Sequence, residues 1–494
     1  MNRSLASILL GALVVIPTLA WAASTSANLP ITVIPEIQFT DRYSQWSNFP
    51  QRPSFFPIAI WLQNPTRSLG AGASYSTVAA AAAATKINIL LGIDNGGTQW
   101  PGSICGGDNG QLAAAKNSGL YVIWPSGVDA TGNTSATSVS SVLWLANALG
   151  ATASLIGYNL GDEPACGVTM NAIPSWVTTL AGFDPTRVVT YNMNDWAFNH
   201  GICSPKWRTI AALQAISIGS FDLYPITSPW NGGSKIPVNP GQPIDSMWIQ
   251  GYSVVQLIQS GRKGQPIWAY VETGTDELGY STQAGNTCNA DTNLCTPHNN
   301  EYRATNEQVN AEAWMSIING AAGIEWFCHD SLAPAFCLGE QTGGSGKLAN
   351  SIRANLTYID STILSYAQQL NSPTVGICTM INGTGFTNFT TSCSNGILSV
   401  SAGNSFIPAS ALVKSFGRAH YLFAQTARNG SEIVTFTLSG DARKMATVVY
   451  DSNAEYDPAN SAMGNTIVLN GSGEFSDAFG ANSHNYQVKI YTVQ

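Results

Sequence analysis

The sequence predicts an eightfold β/α barrel, a TIM barrel, followed by a small all-β sandwich domain, and three observations carry that expectation. Between Phe55 and Gln369 one unit recurs eight times: a short apolar run, a polar loop, then a helical stretch. The apolar runs lack clean polar–apolar alternation, as strands buried on both faces do. After Pro373 the helical signals stop, and short alternating segments between Gly-, Asn- and Asp-rich turns take over.

The runs that read as strands are Pro57–Leu62, Ile87–Ile93, Leu120–Trp124, Leu155–Leu160, Val188–Met193, Ile216–Tyr224, Pro266–Val271 and Gly323–Phe327. Each precedes a helical stretch: Thr77–Lys86, Asn109–Asn117, Ser138–Leu149, Pro174–Leu180, Lys206–Gln214, Ile244–Ser260, Asn306–Asn319 and Leu348–Gln369. Gly119, Gly150, Gly261 and Gly320 stand at helix ends, where a glycine closes the last turn without a Cβ penalty. Strands alternating with helices imply a parallel sheet. Eight pairs over about 310 residues suit a closed barrel better than an open doubly wound sheet. No Gly-x-Gly-x-x-Gly follows the first strand, which also counts against the open sheet. In the trailing domain, Ile397–Val400, His420–Ala424, Glu432–Leu438, Ala446–Tyr450, Thr466–Leu469 and Tyr486–Tyr491 read as strands. The expected organisation is a signal peptide over 1–22, a lead segment over 23–54, the barrel over 55–370 and the sandwich over 371–494.

Composition points to export. Charged residues make up 10% of the 494, against roughly 25% in an average soluble protein. Gly, Ser, Thr and Asn supply an uncharged polar surface in their place. Arg3, the apolar stretch Leu5 to Leu19 and the small-x-small sequence Ala20-Trp21-Ala22 read as a cleaved signal peptide. The expected location is secreted or periplasmic. The net charge of −8 and the lack of a basic stripe argue against nucleic acid, and no later segment is apolar for the roughly 20 residues of a membrane span. Nine cysteines in an exported chain suggest disulfides. Close spacing favours Cys288–Cys295, Cys328–Cys337 and Cys378–Cys393; Cys166 and Cys203 form a further candidate pair, with Cys105 left over. The five histidines are scattered and no Cys-x-x-Cys occurs, so neither a metal site nor a cofactor is expected.

Barrels of this kind build their sites from the loops at the C-terminal strand ends. Here those ends carry carboxylates, amides and flat aromatics. Strand three ends at Trp124, and strand four runs into Gly161-Asp162-Glu163-Pro164. Strand five ends in Asn192, Asn194, Asp195 and Trp196, and strand six in Asp222-Leu223-Tyr224-Pro225. Strand seven ends at Glu272 and strand eight at Glu325-Trp326. A sugar needs this set: aromatic faces for the C–H side of the ring, amides and carboxylates for its hydroxyls. Breaking a glycosidic bond also needs two carboxyl groups on opposite sides of the anomeric carbon, one protonated and one ionised. Glu163 and Glu272 lie three strands apart on an eight-strand ring, which puts them across the mouth from each other.

On these residues the chain resembles the large clan of retaining glycoside hydrolases built on the β/α barrel, often called clan A. The resemblance covers about residues 55–370 and rests on topology and strand-end residues. It implies that Glu163 is the acid/base and Glu272 the nucleophile, with Tyr224 near the nucleophile and Trp326 beneath the substrate ring. It further implies a carbohydrate substrate and a trailing β domain. One departure concerns the residue before the acid/base, often Asn in that clan and here Asp162. A charged Asp162 accepts a bond from a sugar hydroxyl and raises the pKa of a neighbouring acid. Asn192, Asp195, Trp196 and Trp124 complete the expected substrate-binding set.

Rival readings remain. Glu163 before Pro164 is also a common helix start. Glu277 and Glu325 compete with Glu272, the latter as an inward-facing supporting group. At the level of the whole chain, a transglycosylase keeps both glutamates, and a non-catalytic carbohydrate-binding or cell-surface barrel needs neither. No His-x-His follows strand one and no Gly-x-Ser-x-Gly elbow occurs, which sets aside barrel metallohydrolase and serine-hydrolase chemistry.

Overall fold

A computed structural model of the chain describes residues 42–61, 74–91, 109–125, 136–164, 168–194, 207–225, 248–273, 287–289, 294–296, 304–327, 346–382, 389–394, 398–403, 407–427, 430–480 and 486–494. Eight parallel strands close a barrel: β1 (Ile58–Trp61), β2 (Ile89–Leu91), β3 (Tyr121–Pro125), β4 (Leu155–Asp162), β5 (Val188–Asn194), β6 (Ile218–Asp222), β7 (Ile267–Glu272) and β8 (Gly323–Phe327), with β8 pairing both β7 and β1. The helices between them are α1 (Tyr75–Ala84), α2 (Asn109–Asn117), α3 (Ala136–Ala148), α4 (Val168–Phe183), α5 (Trp207–Ala215), α6 (Trp248–Ser260) and α7 (Asn306–Ile318); α8 (Gly346–Ser365) and the short α9 (Ala367–Leu370) follow β8. Thr287–Asn289 and Leu294–Thr296 add a small antiparallel hairpin after β7, with Cys288 opposite Cys295 in register.

Each strand sends alternate residues to two apolar environments. Ile58, Ile60, Val122, Trp124, Val189, Tyr191, Ile267, Ala269, Ile324 and Trp326 pack outward against the helices. Ala59, Trp61, Ile89, Ile123, Ile156, Val188, Ile218, Trp268 and Tyr270 fill the inside of the barrel. The runs in the sequence are continuously apolar for this reason: both faces of every strand are buried.

The lead segment closes the bottom of the barrel. Its Tyr43, Trp46 and Phe49 join the inner cluster together with Phe55 just beyond it. Tyr43 stacks on Phe49 with ring centroids 4.1 Å apart. Its hydroxyl accepts a bond from Trp268 Nε1 at 2.9 Å and donates to the Ala322 carbonyl at 3.3 Å. Both contacts lie at the N-terminal ends of strands, so the opposite end is the one left for a site. The strand-like pieces expected over 31–40 lie outside the described residues.

Helix α4 differs from expectation. It begins at Val168, six residues before Pro174, and runs through that proline. Met170 and Ile173 in its first turns are fully buried, and their burial offsets the hydrogen bond that an interior proline forfeits. Glu163 therefore does not lie in the first turn of α4.

Past α9 the chain forms two antiparallel sheets. One has seven strands in the order β10 (Phe389–Ser394), β9 (Thr374–Asn382), β12 (Ala409–Phe416), β13 (Ala419–Thr426), β18 (Val488–Val493), β15 (Met445–Asp451) and β16 (Thr466–Val468). The other has three, β11 (Leu398–Ala402), β14 (Glu432–Leu438) and β17 (Glu474–Phe479). They enclose a core containing Leu422, Phe436, Phe475 and Tyr491. Cys378 and Cys393 face each other across β9 and β10 and are joined as a disulfide. Cys105, Cys166, Cys203, Cys328 and Cys337 lie outside the described residues.

Barrel and sheets share one continuous core: Phe423, Tyr450, Val488 and Ile490 of the sheets cluster with the helix-facing side of the barrel. Helix α7 is the shared wall. It is buried from Val309 through Ile318, packs on β7 and β8 on one side and meets β13 on the other. Trp314 stacks on Phe423 at 6.0 Å, and Gln425 Nε2 donates to the Ala311 carbonyl at 2.8 Å.

The plug at the barrel bottom gives a direct test. Tyr43→Phe leaves Trp268 Nε1 buried without that acceptor and should lower the unfolding free energy by about 1–3 kcal/mol. The loss is read as a lower urea midpoint at unchanged slope.

Candidate active site

Strand β4 carries two irregularities that set up the mouth. Its register shifts once between Leu155 and Gly157 against β3, and again between Asn159 and Asp162 against β5. Each bulge inserts a residue and so changes which side chains face inward. The first lets Tyr158 face the helices, where its hydroxyl donates to Asp184 Oδ2 at 2.8 Å. Gly157 is required beside that bulge, because a Cβ there would lie 2.4 Å from Val188 Cγ2 and 2.8 Å from the Val188 carbonyl. The second bulge brings Asp162 opposite Asn192, and Asn192 Nδ2 donates to Asp162 Oδ1 at 2.7 Å. Gly161 sits against the Tyr191 ring, where a Cβ would approach to 2.8 Å.

Glu163 follows at the rim. It is exposed, and its backbone lies in the left-handed region at φ 40°. Its N–H donates to the Asn192 carbonyl at 3.0 Å. A non-glycine residue held in that conformation costs about 1–3 kcal/mol, and such strain clusters at functional sites.

Glu272 terminates β7 and is 1% exposed. Its N–H donates to Glu312 Oε1 of α7 at 3.3 Å. Glu312 is fully buried; burial first, then the Glu272 charge, pushes its carboxyl well above the usual range.

Glu325 stands at the middle of β8, in register with Tyr270 of β7. It faces the barrel interior, between the outward-facing Ile324 and Trp326. Burial raises its pKa to about 8; Tyr270 beside it lowers the value, and the Asp162 charge raises it. Tyr270 feels Glu325, Asp162 and Tyr224 in turn. The Tyr270 hydroxyl and the Glu325 carboxyl stand close enough to affect each other's titration, yet do not meet in a well-aligned hydrogen bond. Asp162, Tyr224, Tyr270 and Glu325 thus converge on one volume, Asp162 and Tyr224 from the ends of β4 and β6 and Tyr270 and Glu325 from within β7 and β8. Trp61 packs edge-on to Tyr270 at 5.6 Å, and Tyr224 stacks on Phe327 at 4.5 Å.

Two expectations need correction. Trp326 is not beneath a substrate: it points into the helix layer, fully buried, and its Nε1 donates to Asp360 Oδ1 of α8 at 3.0 Å. Trp124 likewise packs outward. Both fall on the helix-facing parity of their strands, so the inward residues of β8 at this level are Glu325 and Phe327. Asn192 is buried beside Asp162 at the rim, and Tyr224 belongs to the inner apolar cluster. Asp195, Trp196 and Glu277 lie outside the described residues. Sequence reasoning passed over Tyr270 and Glu312. The signal for Glu312 was a single carboxylate in the apolar helix Val309–Ile318.

Among the described residues no group of three or more His, Cys, Asp or Glu is placed to hold a metal ion, and no helix is long and apolar enough to cross a membrane.

The raised Glu325 pKa makes stability depend on pH. The folded state holds this proton more tightly than the unfolded chain, so stability falls as pH rises from about 4.5 to about 8 and then levels. Glu325→Gln removes this contribution. Its unfolding free energy relative to wild type should climb across that window, by at most about 5 kcal/mol, as read by denaturation at pH 5 and pH 8.

Comparison with protein-family models and with curated protein sequences finds no match. Several solved structures align over most of the chain. A family 5 glycoside hydrolase from Bacteroides vulgatus is 13% identical, with 89% of each chain covered and a TM-score of 0.46. A noncanonic maltogenic alpha-amylase from Thermotoga neapolitana is 8% identical, covering 88% of this chain and 99% of its own, with a TM-score of 0.47. An alpha-L-arabinofuranosidase from Thermotoga maritima is 9% identical, covering 94% and 98%, with a TM-score of 0.41. The barrel assignment rests on the strand pairing itself and not on these likenesses.

Proposed function

We propose that the protein is an exported glycoside hydrolase that cleaves a poly- or oligosaccharide by retaining double displacement. The observation that carries this reading is the pair of carboxylates at the C-terminal ends of β4 and β7, Glu163 exposed at the rim and Glu272 buried at a strand terminus. Hydrolysis of a glycosidic bond needs two carboxyl groups in unlike environments, one giving a proton to the leaving oxygen and the other attacking the anomeric carbon. Glu163, open to solvent, suits a group that takes up and releases protons in each turnover. Glu272, fixed at the end of a barrel strand, suits a nucleophile that must be held in line.

In the first step the Glu272 carboxylate bonds to the anomeric carbon while Glu163 protonates the departing oxygen. In the second, Glu163 takes a proton from water and the water oxygen displaces Glu272, so configuration at that carbon is retained. Asp162, held by Asn192, supplies a fixed acceptor for a sugar hydroxyl. Tyr224 on Phe327 and Trp61 beside Tyr270 offer aromatic surface. The neutral Glu325 beneath them is a donor at pH 7.

Two measurements test the reading on a panel of aryl glycosides and polysaccharides. Glu272→Gly should abolish turnover, and a fully active variant would overturn the assignment. Glu163→Ala should slow substrates with poor leaving groups by about 10²–10⁴-fold while sparing activated aryl glycosides. NMR of the first-formed product should show retained anomeric configuration; inversion would rule out the nucleophile role of Glu272. Products lengthened by an added sugar acceptor would identify a transglycosylase.

A further inference from the structure

We propose that Glu312 is a positioning residue: a carboxylic acid set in the wall between barrel and sandwich that orients Glu272 and holds it ionised. The proposal rests on the reading of Glu272 as the nucleophile for its catalytic meaning, but its physical content does not.

The geometry is specific. Glu312 lies on α7 and is fully buried. Its Oε1 accepts the Glu272 N–H at 3.3 Å, which ties the end of β7 to the helix behind it. Among the described residues, every side-chain interaction of Glu312 goes to Glu272, through charge and hydrogen bonding. Among the described residues no cation pairs with it. Glu325 on β8 faces the barrel interior, and Asp360 on α8 is bonded to Trp326. Tyr252 on α6 packs beside Trp248. On the sheet side His420 pairs with Asp441, Lys414 donates to Ser372 and Thr374, and Tyr450 donates to Asn310.

A buried carboxyl with no cation and a second carboxyl beside it keeps its proton. Among the described residues, Glu272 is the group placed to share that proton. With Oε1 occupied by the Glu272 N–H, Oε2 makes no other hydrogen bond among them and is the oxygen left to carry the proton toward the neighbouring Glu272 carboxylate. A hydrogen bond donated to a carboxylate favours its ionised form, the form a nucleophile needs. Glu312 thus contributes to the site from behind the strand without touching substrate.

The test uses the full chain and needs no turnover for its main readout. In infrared spectra at neutral pH, wild type minus Glu312→Gln should show the carbonyl band of a protonated carboxylic acid; its absence overturns the proposal. The carboxylate of Glu272, identified by its loss in Glu272→Gln, should titrate about one unit higher in Glu312→Met. It should stay in place in Glu312→Gln, whose amide still donates. An unmoved midpoint in a folded Glu312→Met also overturns the proposal, and if that variant does not fold, the difference band decides. The acidic limb of kcat/KM should rise with the infrared midpoint. A midpoint that moves beside a limb that does not would uphold Glu312 as the partner of Glu272 and remove Glu272 from the reaction.

Discussion

Burial of helix α7 between the barrel and the sandwich is the constraint on which much of the structure depends. A barrel helix ordinarily covers one flank of the sheet and exposes the other to water. Here the far flank of α7 meets β13, so the helix is buried on all sides from Val309 through Ile318 and the two parts share one core. Polar groups placed in that wall must find partners inside it. Gln425 finds the Ala311 carbonyl, Ser410 finds Asn319 and Glu312 finds the end of β7. The sandwich therefore shapes the surroundings of a strand-end carboxylate although it lies on the outside of the barrel.

The mouth is built by a different device. A regular β4 would give Asp162 whatever facing parity assigned. The bulges supply two extra residues, and the second presents Asp162 to Asn192 and leaves Glu163 in a left-handed turn. Small residues make this possible, since Gly157 and Gly161 lie where a side chain would collide with β5. The strain at Glu163 and the close packing at the glycines are local costs, offset by a barrel whose strands are buried on both faces.

Electrostatics then separate the carboxyls. Asp162 accepts a hydrogen bond at the rim, burial pushes the pKa of Glu325 up to about 8 inside the barrel, and burial and the Glu272 charge push Glu312 well above the usual carboxyl range within the wall. Acids in one region that ionise at different pH values give a site both donors and acceptors near neutrality. Tyr270 links the inner group, because its hydroxyl feels Glu325, Asp162 and Tyr224 together.

By itself the sequence determined the barrel, the change to β structure near residue 373, the Cys378–Cys393 bridge and the strand-end positions of Glu163 and Glu272. These are local properties: apolar runs of strand length, glycine at helix ends, cysteine spacing, and residues that directly follow a run. Four strands of the trailing domain, β9, β10, β12 and β17, were not legible, because their stability comes from pairing with distant segments and not from their own pattern. Tertiary structure alone decided which way each rim residue faces. Trp326 and Trp124 turned to the helices, because facing follows from strand parity and a single bulge reverses it. The pairing of Glu272 with Glu312, forty residues along the chain, was settled by the packing of α7 on β7. No spacing in the sequence encodes that contact, since it exists only once the barrel has closed and the sandwich has covered its wall.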